Sequence, residues 1–292
     1  MTSFFAPTNR SKFVATAAIC AALYAIANGL TSFISTPFGI GEFRPGIVIP
    51  VFFALVSGPV PAAIGAGVGS FIGDMFTLVP EGRSTFLWAL FAGGLGNFFG
   101  ILALGWIYQK LRTWRGFIFG TTVGLFLGNL VAATGVVFIG MYFIPLSKLN
   151  PFPGMLGDLG LAGGLLIGLL LFWFGTMFPF VVILDPPLVR IMRPYASQLS
   201  GTGSYPEIEK PSNKVLWTWS IVVAALVLGA LVLALFSGEA GISDIVAGYG
   251  GTTAWTVLFI VSAIAVLIVG AFLPQAKSKP EVQKQSTVSA NP

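Results

Sequence analysis

Asp74 is the residue in this sequence with the most chemistry to offer, because it lies well inside an apolar stretch, residues 60–79. A carboxylate at membrane depth is expensive and is kept where it faces a partner or a wet cavity. Arg44, in Gly41-Glu42-Phe43-Arg44-Pro45-Gly46, stands at the start of the preceding apolar stretch. An Arg44–Asp74 pair would tie the first loop to the third segment; the alternative is that Asp74 caps its helix at the interface. Asn28, Asn97 and Asn129 are further polar groups at depth, each able to act as interhelical glue or as part of a ligand pocket. Trp88, Phe91, Phe98, Tyr142 and Trp173 add aromatic surface, and Trp88 also suits an interfacial belt.

Other chemistry is missing. The chain has no histidine, and so lacks the commonest zinc ligand and the usual neutral-pH base. Its one cysteine, Cys20, sits in an alanine-rich run, which suits an inert buried thiol and excludes an internal disulfide. There is no GxxxxGK[ST] loop, GxSxG, HExxH or paired-carboxylate arrangement. The pair Gly67-Val68-Gly69 lies inside an apolar segment and reads as packing. Neither catalysis nor a cofactor is expected from this inventory.

The elements that would hold these residues follow from composition. Hydrophobic residues are 55% of the 292, and charged residues 9%, too few to cover a soluble body of this size. A membrane-spanning helix needs about 20 mostly apolar residues. Eight segments qualify: 13–35, a short 43–58, 60–79, 85–109, 116–143, 159–185, 215–237 and 253–273. The first segment is long enough to be a retained span and not a cleaved signal. With the N-terminus inside, all basic residues except Arg44, Arg83 and Lys148 fall on the cytoplasmic side. That asymmetry is a topology code; it places both termini in the cytoplasm and accounts for the net charge of +5 without nucleic acid.

Small residues recur at four-residue spacing in Gly65/Gly69/Gly73, Ala92/Gly96/Gly100, Gly120/Gly124/Gly128/Ala132 and Gly160/Gly164/Gly168. Such stripes let helix backbones approach closely in lipid. Helices seven and eight carry one glycine each, Gly229 and Gly270. The expected fold is therefore an all-α membrane bundle with a six-helix unit over 1–194. A polar linker (195–214), two additional helices (215–274) and a disordered cytoplasmic tail (275–292) would follow.

The run Ala17-Ala18-Ile19-Cys20-Ala21-Ala22-Leu23-Tyr24-Ala25 resembles the first helix of the substrate-binding S components of energy-coupling factor (ECF) transporters. The segment from Gly41-Glu42-Phe43-Arg44-Pro45-Gly46 through Phe53-Ala54-Leu55-Val56-Ser57-Gly58-Pro59-Val60-Pro61 to Gly73-Asp74 is similar too. The match is detailed over 13–80 and holds in helix count and spacing over 13–194. It implies a six-helix subunit that captures a vitamin-like micronutrient or small organic solute at a prokaryotic cell membrane. A transmembrane coupling subunit and two ATPase subunits would be its partners. The coupling subunit would dock on Ala18 and Ala22, or one register over on Ala17 and Ala21; ordinary internal packing is the alternative. The resemblance also puts the solute between helices four to six, near Glu42, Arg44, Glu81, Arg83, Trp88, Asn97, Asn129, Tyr142 and Asp158. Two other readings stand beside it: a solitary ion-gradient-driven carrier coupled through Asp74, and a non-catalytic membrane scaffold.

Overall fold

Proline and glycine punctuation divides the chain into helices. The computed structural model describes residues 10–34, 36, 40–82, 84–143 and 159–192, with the isolated positions 221 and 225. The expected helices seven and eight, the linker and the tail lie outside the described residues, as do Arg83, Lys148 and Asp158. Among the described residues there are helices and no strands. They form α1 (Arg10–Thr31), α2 (Val48–Ser57, entered through a 3-10 turn at Pro45–Ile47), α3 (Pro59–Phe76), α4 (Phe86–Leu111), α5 (Trp114–Phe143) and α6 (Leu159–Met192). Gly58, at φ +105°, ends α2 where a side chain would be strained, and Pro59 opens α3 at a position that needs no N–H donor.

Four of these helices are long and apolar enough to cross a membrane: α1, α4, α5 and the stretch Ala162–Val189 of α6. This marks the protein as membrane-embedded. The second segment departs from its expectation as a span. The apolar helix Pro45–Ser57 is about 20 Å long at 1.5 Å per residue, too short to cross alone. Seven of the ten residues of α2 are buried, so it is a core helix enclosed by its neighbours. The sixth segment runs to Met192, beyond the expected end at 185, and carries Pro179, Pro186 and Pro187 inside the helix. Proline is tolerated at membrane depth where surrounding helices make good the lost hydrogen bond.

The small-residue stripes become helix contacts in three of the four cases. In α3, a methyl group on Gly65 would fall 2.6 Å from Cys20 Cβ, and one on Gly69 2.6 Å from the Ala21 carbonyl. Gly96 and Gly100 of α4 meet Gly128 and Gly124 of α5 just as closely, with 2.8–2.9 Å to the facing carbonyls. The stripe expected in α6, Gly160/Gly164/Gly168, has no contact among the described residues by which to judge it. The described face of that helix packs through Ala162, Leu165, Leu169, Phe172 and Trp173, each at most 5% exposed.

Candidate functional site

The first loop folds back over the bundle through two backbone hydrogen bonds, Phe43 N–H to the Ile34 carbonyl (2.9 Å) and Thr36 N–H to the Gly41 carbonyl (3.4 Å). This carries Arg44 inward, where it is 5% exposed. Its guanidinium pairs with the Asp74 carboxylate, donates to Ser70 Oγ at 2.6 Å and lies 3.6 Å from a Glu42 oxygen. Asp74 is 3% exposed in the last turn of α3, so it is no interfacial cap: the first loop and α4 cover it. Burial alone would push the Arg44 guanidinium down, but the Asp74 and Glu42 carboxylates hold it above its ordinary value. It is a permanent cation, as ionic pairing at depth requires.

From Ser70 the network continues to α4 and α1. Asn97 Nδ2 donates to Ser70 Oγ (3.1 Å) and to the Gly93 carbonyl (2.8 Å), while Tyr24 Oη donates to Asn97 Oδ1 (2.8 Å). Asn97 is thus glue. It is held where α4 takes a π-helical turn, Ala89–Gly94, a rare geometry often found at functional sites. Gly93 within that turn has to be glycine, since a methyl there would sit 2.6 Å from Asp74 Oδ2 and 3.1 Å from Ser70 Oγ.

Two indoles frame the same space. Trp88 Nε1 donates to the Val136 carbonyl at 2.9 Å and Trp173 Nε1 to the Glu42 carbonyl at 3.1 Å. Trp88 is buried, which removes it from the interfacial belt. Trp173 lies against Gly41, whose φ of +79° and lack of Cβ admit the ring edge. Asn129 of α5 is also buried, and its Nδ2 has no hydrogen-bond partner. Arg44, Asp74, Trp88, Asn97, Asn129 and Trp173 line one cavity together with Ile40, Gly41, Ser84, Gly93 and Met177. Its empty space totals about 410 Å³ with the open mouth included, but room for the centres of water-sized molecules is about 30 Å³. That accommodates a couple of ordered waters.

Of the expected ligand residues, Glu42, Arg44, Trp88, Asn97 and Asn129 converge at this end of the bundle. Tyr142 does not line the cavity: it is 67% exposed at the end of α5, 5.0 Å from the Phe138 ring. Glu81 is exposed as well. Ser70, Gly93 and Met177 were not singled out by the sequence, although Ser70 precedes Asp74 by four residues and so shares its helix face. Cys20 is fully buried against Gly65, as a packing residue. On α1, Ala21 is buried against α3 while Ala18 and Ala22 are exposed; internal packing uses Ala21 and leaves Ala18 and Ala22 open. Comparison of the chain with family models, curated proteins and solved structures finds no match.

Proposed function

We propose that the protein is the solute-capturing membrane subunit of an ECF-type transporter, taking a small, flat organic solute from outside the cell. On this reading it sits in a prokaryotic plasma membrane with both termini in the cytoplasm, and ATP is hydrolysed by partner chains. The observation that carries the reading is the cavity beneath the first loop. It has two indole walls, one guanidinium set against two carboxylates, and one amide donor, Asn129 Nδ2, without a hydrogen-bond partner among the described residues. Pockets for small organic ligands combine apolar walls with a few such polar groups. The exposed Ala18 and Ala22 offer a smooth strip for the helix of a coupling subunit.

The cavity in its present form admits water but no organic solute, so capture requires its walls to part. Its small size also favours a second reading, a scaffold that binds nothing. Mass spectrometry of small molecules retained by the detergent-purified protein separates the two. A retained compound that disappears in Asn129→Leu, with unfolding temperature unchanged, supports capture; an empty wild-type protein in repeated preparations supports the scaffold. In the solitary-carrier reading the coupling group would be Asp74, which is paired with Arg44.

A further inference from the structure

Among the described residues a third carboxylate is buried besides those of Asp74 and Glu42, and it does not line the cavity. Asp185 of α6 is fully buried, and neither carboxylate oxygen has a hydrogen-bond partner. Its level in the bundle follows from contacts already described. Trp173 is bonded beside Glu42, and from there α6 and α2 run in the same direction, so Asp185 falls near the level of Ala54. Ala54 touches the Gly105 position of α4, and the adjacent Leu104 carbonyl lies against Gly120 of α5. Asp185 is therefore enclosed toward the end of the bundle where α2 ends, eight residues or about 12 Å beyond the cavity-lining Met177.

An isolated carboxylate so enclosed costs several kcal/mol unless a positive charge accompanies it. The described side chains of the elements packed against it supply none. The helix α2 has no titratable residue, and the turn before it begins beside Arg44, which is taken by Asp74 and Glu42. On α5, Arg115 and Tyr142 are both exposed, and Tyr142 is at the far end; Arg190, five residues along α6, is outside the described side chains. What this level of the bundle does offer is oxygen. Pro186 and Pro187 lack the N–H groups that would bond the carbonyls of Val182 and Ile183. The fully buried Thr121, near the same level on α5, has an unpartnered hydroxyl. A carboxylate beside helix carbonyls released from their own ladder is the donor set that membrane transporters use for small monovalent cations.

We propose that Asp185 is a binding site for a single small cation, a proton or a sodium ion, held between α6 and the interior of the bundle. Both ions supply the same missing charge, and an intramembrane carboxylate is the group that takes either. The site is independent of the solute cavity and stands or falls apart from it.

The test uses the full-length protein in detergent. Its unfolding midpoint is followed as sodium chloride replaces choline chloride at constant ionic strength, and separately as pH falls from about 9 to 6 in choline alone, a range in which exposed carboxylates do not titrate. A bound cation raises the midpoint by about 3–5 °C for each tenfold increase beyond its dissociation constant. A sodium response identifies the ion as sodium, and a response to pH alone identifies the proton; Asp185→Asn abolishes whichever is present. A wild-type midpoint insensitive to both, or an identical response in Asp185→Asn, overturns the proposal. Should that variant fail to fold, infrared spectra of the wild type labelled with carbon-13 aspartate decide. A buried aspartate carboxyl band that changes with pH or sodium supports the site, and an unchanging one overturns it.

Discussion

Two of the buried carboxylates, Asp74 and Asp185, are treated in opposite ways by the fold. Asp74, beneath the first loop, has an arginine partner that also engages a serine and a second carboxylate. Asp185, in α6, has no donor among the described residues. The first arrangement is built to hold a loop, two helices and an indole in one geometry. The second leaves a charge unmet inside the protein, which is useful only if something from outside meets it. Buried polar groups that are fully paired rigidify, while those left open bind.

This contrast is broken most severely by Arg44→Met. It leaves Asp74 and Glu42 buried without their cation and should cost about 3–5 kcal/mol, read as loss of folded protein or a large drop in unfolding temperature. Gly93→Ala presses a methyl group onto Asp74 and Ser70 and should cost about 1–3 kcal/mol, the usual range for overpacking. Asp74→Asn keeps an acceptor for the guanidinium and should cost about 1–3 kcal/mol. Asp185→Asn, measured in choline at high pH where no cation is bound, should instead raise stability by about 1–3 kcal/mol, since a neutral amide replaces a buried charge that has no counter-ion. If the two asparagine variants prove equally damaging, the distinction drawn between the sites is wrong. Smallest in effect on the isolated chain is Ala22→Trp. The residue is exposed, so unfolding should shift little, while co-purification with a coupling subunit should fail if α1 is the docking surface.

Much of the fold was legible because the chain is poor in charge and rich in punctuation. Gly58-Pro59 marks the α2–α3 junction, and glycines at four-residue spacing mark the α3–α1 and α4–α5 contacts, since only small residues permit that approach. The Arg44–Asp74 pair was legible for a related reason: charges at depth are rare, so each must find its partner among few candidates. Ser70 and Gly93 were harder. Nothing about a serine or a glycine in an apolar helix announces that an arginine and an amide will converge on it from two other elements. Tyr142 was misplaced because an aromatic residue near a helix end can face the interior or the lipid, and sequence spacing alone does not choose between them.

Asp185 shows the division most clearly. Beside Pro186-Pro187 it falls at the expected end of its segment, where a carboxylate would simply meet water. The helix instead continues to Met192, and its neighbours close over the side chain. Composition and periodicity determined that this chain is helical, lipid-embedded and packed through glycine, because those properties sum over many residues and tolerate local exceptions. Which buried charges find partners, and which stay open, only the tertiary structure decided. Pairing depends on a few ångströms between residues far apart in the chain, and no local pattern carries that distance.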